Sequence, residues 1–378
     1  MNPIFDDTIL KHFSSLEDPR IERTKQHVLI DIVAIAILAV LSGADSWVAI
    51  ETYAQAKHKW LQQFLELPNG IPSHDTTARV FARLNPEAFE QCFHRWVESI
   101  TETIGAQVIP IDGKTIRQSF DRDRLQKAIH VVSAWASTHR LVLGQLKVDS
   151  KSNEITAIPK LLELLDIAGC IITIDAMGCQ KEIATQIVNQ KADYVLALKG
   201  NQGKLADLVS LWFEKARSND FEGIEHSYHS STESAHGRIE IRQYWSVPVS
   251  ELDALPNQQQ WSGLRSLGMV VCERRLWNKT TIEVRFYISS LEYDALILAH
   301  AVRSHWGIEN SVHWILDVTF NEDASRIRKD NAPLNFSVLR RLSLNLLSRD
   351  TSIRGSIAMK RYRAGLDNNY LAKIIATV

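Results

Sequence analysis

From Val28 to Leu41 the chain reads VLIDIVAIAILAVL, apolar at every position but Asp31. The run is shorter than the ~18–20 residues a membrane span needs, so it predicts a helix buried on all sides. Residues 1–105 keep helical spacing throughout. A second helix, capped by Asp45 or Ser46, is expected to reach about Leu65, and LPNGIPS breaks the pattern. Ser73 then caps a short helix carrying Thr77, Arg79, Phe81 and Arg83, and Asn85-Pro86 opens another towards Ile104. Short helices joined by tight turns, one with spaced arginines, suit DNA binding in the helix-turn-helix manner. Generic helical packing produces the same pattern.

Beyond Gln107 the period shortens. Val108–Ile111 is an apolar run. Ala128–Ala136 and Leu141–Val148 are β-rich and separated by Ser137-Thr138-His139-Arg140, which predicts a hairpin. Glu154–Ile167 is an amphipathic helix, with Ile155, Ile158, Leu161, Leu162 and Leu165 at helical spacing. Ile171–Ile174 is a buried strand ending at Asp175, Gln180–Gln190 a helix, and Asp193–Leu198 a further strand ending at Lys199. This order, a meander followed by helix-linked strands, is that of an α/β ribonuclease H-like core. Such a core needs one more helix returning across the sheet. The stretch His305–Asp317 supplies it, with Trp306, Val312 and Leu316 expected to pack.

Residues 203–286 differ in character. A helix over Gly203–Arg217 precedes a polar Gly/Ser-rich stretch, then alternating runs and two strands, Gly268–Arg275 and Thr281–Ile288, around Trp277-Asn278-Lys279. They predict a mostly β insertion. Its HGRIEIR segment sets His236, Arg238, Glu240 and Arg242 at alternate positions, hence on one strand face, which is either a solvated edge or a phosphate-contacting surface. The division expected is therefore a helical region over 1–105, a core over 106–202 and 287–350, the insertion between, and a basic tail over 351–378.

Composition narrows the field. A chain of 378 residues exceeds one ordinary core, and 45% hydrophobic with 23% charged residues marks a globular protein. Net charge is −1, yet eleven Lys/Arg from Arg326 onward meet three acids, leaving +8 at that end, which suits a polyanion. Cys92, Cys170, Cys179 and Cys272 form no metal or disulfide pattern, in keeping with a reducing cytoplasm. The start, MNPIFDDTILKHF, has acids where a signal peptide carries positive charge, and no membrane partner is expected.

Three acids remain to be explained: Asp112 in VIPIDGKT, Asp175 in CIITIDAMG and Glu309 between His305 and His313, which share one helix flank. Three converging carboxylates repel one another unless cations sit among them. Hard divalent ions, Mg²⁺ above all with Mn²⁺ as a substitute, answer that need. Two of them ~4 Å apart serve phosphodiester chemistry.

The chain resembles DDE-type insertion-sequence transposases, specifically the H-repeat-associated subfamily. The resemblance rests on FSSLEDPR (Phe13–Arg20), IDGKTIRQS (Ile111–Ser119), TIDAMGCQ (Thr173–Gln180), LKGNQ (Leu198–Gln202), HGRIEIR (His236–Arg242) and RSHWGIENSVHWILDVTFNEDASRIR (Arg303–Arg328). It implies a ribonuclease H-like core interrupted by a β insertion, and metal-dependent DNA cleavage and strand transfer. Asp112, Asp175 and Glu309 would be catalytic metal ligands. Where wider relatives carry Tyr, Arg and Lys around the glutamate, this chain has Val302, His305 and Leu316. Phosphate contacts are expected from Arg238, Arg242, Arg303, Arg326, Arg328, Lys329, Arg340 and Arg341, the last two on the solvent side of a helix over Asn335–Ser348. The expected partner is double-stranded DNA, with at least a dimer assembled on it. A DNA-binding relic without catalysis and a structure-selective nuclease are the alternatives.

Overall fold

A computed structural model describes residues 8–101, 105–120, 127–149, 153–235, 237–252 and 255–376. Between Ile9 and Ile100 its regular elements are helical: α1 (Leu29–Leu41), α2 (Trp47–Ala56), α3 (His74–Arg83) and α4 (Pro86–Ile100), with shorter turns between. Side-chain oxygens of Ser46, Ser73 and Asn85 accept the first free backbone N–H groups of α2, α3 and α4. Helix α1 is apolar on all faces and buried from Ile32 to Leu41. Asp31 is tolerated because its carboxylate accepts from the backbone of Leu67 (2.9 Å) and Glu66 (3.4 Å), pinning the chain after α2.

Among the described residues, nine strands form one sheet in the order β3-β2-β1-β4-β5-β9-β8-β7-β6. The strands β1 (Val108–Thr115), β2 (His130–Ala136) and β3 (Leu141–Val148) make an antiparallel meander. Two further strands, β4 (Ile171–Ile174) and β5 (Asp193–Leu198), lie parallel to β1 through the helices α5 (Glu154–Glu163) and α6 (Lys181–Asn189). After α7 (Gly203–Ser218) come β6 (Ser227–Ala235), β7 (Arg238–Pro248), β8 (Ser266–Leu276) and β9 (Lys279–Ser289). These are not a separate sheet. Strand β9 pairs antiparallel with β5, Val195 opposite Ser289, so the insertion lengthens the core sheet. His236 lies outside the described residues.

Next come α8 (Ala295–Ile308), a π-turn (Glu309–His313) and α9 (Trp314–Val318) in one continuous rod. The rod begins ten residues before the expected His305, and Asp294 caps it. Val312 and Leu316 are buried as expected, but Trp306 is 41% exposed. Helix α10 (Ala332–Arg349) packs between α1, α3, α4 and β3. It covers the open edge of the sheet, where Asn345 pairs with both backbone groups of Val142 (2.8 Å each) and Glu90 of α4 accepts from the Gln145 backbone (3.2 Å).

Two expectations about the basic end are overturned. Arg340 and Arg341 are 1% and 0% exposed, so neither faces solvent or can meet DNA. Neutralisation from within explains it: Arg341 pairs with buried Glu322 (2.9 Å), and Arg340 stacks on Phe336 and donates to the Phe320 carbonyl (3.2 Å). Within the expected basic tail, residues 351–376 are folded against the rest of the chain. They include α11 (Ile357–Leu366) and α12 (Asn368–Ile375), held by buried Ala364, Leu371 and Ile374. From α11, Arg361 reaches the carbonyl of Val40 (2.9 Å) and the carboxylate of Asp45 (2.6 Å), clamping the end of α1.

Candidate metal centre

The last parallel rung between β1 and β4 is Ile111 with Ile174. Asp112 is the next residue on β1, and Asp175 directly follows β4. Asp112 is not at a strand end, as its sequence suggested. Strand β1 runs on to Thr115 against β2, with Asp112 opposite Ser133. This continuation is possible because Gly113 lies between Asp112 and Lys114. A Cβ there would fall 2.1 Å from Glu154 Oε1 and 2.6 Å from His130 Nε2, a pair bonded at 2.6 Å behind the strand. The glycine therefore lets Asp112 and Lys114 share the opposite face at period two.

The α8–π–α9 rod crosses that face. Its four-residue steps match the strand's two-residue steps. His305 Nδ1 lies 3.0 Å from Thr173 Oγ1 on β4, His313 Nδ1 lies 3.4 Å from Asp112, and Asp317 pairs with Lys114 at 2.6 Å. Gly307 allows the close approach, since a Cβ there would meet the Trp135 ring at 2.8 Å. Asp112, Asp175 and Glu309 line one cavity of about 200 Å³, together with His305, Lys199 and Arg285. At its edge, one ligand atom each from Asp112, Glu309 and His313, a residue that does not line the cavity, lies within 4.8 Å of the others. An Asp175 oxygen accepts from Met177 N (3.0 Å) and Gly178 N (3.3 Å), which sets the turn after β4.

The electrostatics favour a cation. Burial pushes the Asp112 carboxyl up to about 6, opposed by His313 and reinforced by Glu309. The imidazole of His313 holds Glu309 below the usual range. Burial lowers His305. Among the described residues, no Lys or Arg forms an ion pair with Asp112 or Glu309; each has only His313. Oxygen donors without a resident cation are what a hard divalent ion requires, so this set fits one.

The expected phosphate contacts divide into three groups. Arg238 and Arg242 both pair with Glu240, which is 4% exposed, while Arg242 and Arg303 also reach Glu233 at 3.1 and 2.8 Å. These arginines, with Arg274 and Arg285, line a second cavity of about 290 Å³ that shares Arg285, Tyr287, Val302 and Trp306 with the first. Arg326 and Lys329 are exposed and have no salt-bridge partner among the described residues. Arg328 stacks on Phe120 (4.6 Å) and donates to the Gln118 carbonyl (2.9 Å), so this stretch lies against the turn that follows β1. Arg340 and Arg341 are interior.

Sequence reading missed Lys199 and Arg285 as lining groups, although both were legible. Lys199 follows β5 as Asp175 follows β4, and Arg285 alternates with Glu283 on β9. Arg285 also sits 4.2 Å over the ring of Trp306, which keeps that exposed indole beside the cavity.

Residues 104–346 match the family model described as a transposase DDE domain, and residues 10–97 match one described as associated with it. The protein YbfL of Escherichia coli K12 is 42% identical over 372 residues, covering 97% of each chain. The H repeat-associated protein YhhI of the same organism is 41% identical, also over 97% of each. A piggyBac transposase synaptic complex with hairpin DNA, solved by cryo-electron microscopy, overlays with a TM-score of 0.42 at 10% identity. That overlay covers 99% of this chain and 79% of the other.

Proposed function

The chain belongs to the transposase DDE-domain family, within its H repeat-associated group, and on that premise we propose that it cuts and joins DNA. The reaction is metal-dependent hydrolysis of a phosphodiester at an element end, followed by attack of the freed 3′ hydroxyl on target DNA. The observation that carries this reading is the single cavity lined by Asp112, Asp175 and Glu309. The five-strand portion β3-β2-β1-β4-β5, with the rod crossing it, is ribonuclease H-like in our reading.

Asp112, Asp175 and Glu309 would hold Mg²⁺, or Mn²⁺ in its place. A bound divalent ion supplies Lewis acidity at the phosphodiester and lowers the pKa of an attacking water. The side chains do the rest. Lys199 and Arg285 are placed to receive non-bridging phosphate oxygens at the cavity wall. His305, kept neutral by burial, holds the β4 side of the wall through Thr173. Duplex DNA would approach over Arg326, Arg328 and Lys329 on one side and over the arginine face of β7–β9 (Arg238, Arg242, Arg274) with Arg303 on the other. Arg340 and Arg341 are buried and take no part in that contact. Two ends must be paired, so the protein self-associates at least on DNA.

The deciding experiment incubates the protein, with Mg²⁺ or Mn²⁺, with linear DNA carrying the sequences that flank its own gene. Wild type is expected to yield 3′-hydroxyl ends and joined products. Asp112→Asn and Glu309→Gln are expected to lose about 10³-fold or more of the cleavage rate while still binding DNA. Binding without any cleavage by wild type would leave a DNA-binding relic. Cutting of branched DNA without joined products would leave a nuclease.

A further inference from the structure

The rod that delivers Glu309 to Asp112 delivers a nitrogen with it. Glu309–His313 is the one π-turn among the described residues, and π-turns inside α-helices recur at functional sites. His313 ends that turn with its side chain 7% exposed. Its Nδ1 is 3.4 Å from Asp112 Oδ2 and 3.8 Å from Glu309 Oε2. Both separations exceed the 2.7–2.9 Å of a charge-assisted hydrogen bond. The nitrogen thus looks into the space between two carboxylates without closing on either. Nε2 is sheltered and has no hydrogen-bond partner among the described residues, so no bond from behind turns the ring elsewhere.

From this geometry we infer that His313 is a metal ligand, making the Asp112–Glu309 position a mixed nitrogen–oxygen site. Chemistry separates such a site from an all-carboxylate one. Mg²⁺ takes oxygen donors almost alone, whereas imidazole raises affinity for first-row transition ions, and Mn²⁺ is one of these that also suits carboxylates. The site therefore selects Mn²⁺ over Mg²⁺, and His313 is the source of the selectivity. This rests on the reading that Asp112 and Glu309 hold a cation.

The test needs no turnover. Full-length protein without DNA is titrated with Mn²⁺ and with Mg²⁺ by calorimetry, and pulsed electron paramagnetic resonance of the Mn²⁺ sample is searched for ¹⁴N coupling. Wild type is expected to show the coupling. His313→Gln is expected to lose it and to bind Mn²⁺ about tenfold or more weakly, with Mg²⁺ affinity changed far less. Because His313 is buried and His305 lines the neighbouring cavity, His305→Gln is the second variant: coupling that persists in it assigns the nitrogen to His313 even where His313→Gln folds poorly, and coupling lost with it overturns the inference. Mn²⁺ binding that is abolished by Asp112→Asn, unaltered by His313→Gln and free of ¹⁴N coupling overturns this inference alone. Absence of Mn²⁺ binding, or binding indifferent to Asp112→Asn, overturns it together with the reading beneath it.

Discussion

Asp112 and Lys114 stand two residues apart on one face of β1, and the polar clusters around them are balanced differently. At Lys114 the acids are answered. Its ammonium meets Asp317 at 2.6 Å and Asp323 at 2.8 Å, and Glu322 behind them pairs with Arg341. Burial pushes Glu322 up, but Arg341, Arg340 and Lys114 outweigh it and leave the carboxyl below its usual range. At Asp112 the acids are left with an imidazole and no permanent cation. The first cluster spends its charge on joining β1 to α9 and α10. The second has no Lys or Arg ion-paired with it among the described residues. Proximity of acids therefore identifies a site only once the resident cations have been counted.

Breaking the compensated cluster is the largest stability effect expected. Arg341→Met leaves Glu322 buried without its closest partner, which costs about 3–5 kcal/mol. Asp112→Asn, by contrast, removes a carboxylate from beside Glu309 and is expected to leave the metal-free melting temperature unchanged or raised. Equal losses for the two variants in parallel thermal melts would erase the distinction between the clusters.

The free cations of the same segment sharpen the contrast. Arg326 and Lys329 are exposed while Arg341 is interior, so only the former pair should register on DNA. Changing both to Ala is expected to weaken duplex binding across all sequences. The log–log salt slope should become shallower by up to about 2, at roughly 0.9 per contact. Fluorescence anisotropy at graded salt measures it. An unchanged slope with a lowered melting temperature would assign them to the fold.

The smallest effect tests whether an acid with neutral partners behaves as a third type. Glu90 is buried against Gln145, and burial raises its carboxyl from 4.5 to about 8. An acid with a raised folded pKa stabilises below its unfolded pKa and loses that contribution as pH climbs through the folded value. Wild-type melting temperature is accordingly expected to fall between about pH 6.5 and 8, and Glu90→Gln to flatten that fall. A parallel decline in both proteins would show that Glu90 is ionised throughout.

Much of this was legible in one dimension because it depends on local rules. The strands Ile171–Ile174 and Asp193–Leu198 follow from short apolar runs bounded by turn residues. The starts of α2, α3 and α4 follow from Ser46, Ser73 and Asn85, whose side chains cap free N–H groups in any context. Asp112, Asp175 and Glu309 stood out in the sequence because acids beside apolar runs are costly without partners. The family motifs pointed to the same three residues.

What escaped was set by distant partners. Arg340 and Arg341 carry charge, and local pattern puts charge outside. Only the fold brings Glu322 and Phe336 within reach and makes their burial tolerable. The 351–378 stretch reads as a basic tail until α1 presents the carbonyl of Val40 to Arg361 across 321 residues. The insertion reads as an interruption of the core, and only the pairing of β9 with β5 makes it part of the same sheet. His313 lies on the Glu309 flank in sequence, but its place between two carboxylates depends on a π-turn and on the crossing of β1. Sequence alone determined which segments are helices and strands and which acids to watch, since propensity, capping and periodicity act within a few residues. Tertiary structure alone decided which charges are compensated, since Coulomb energy and desolvation depend on what else lies within a few ångströms.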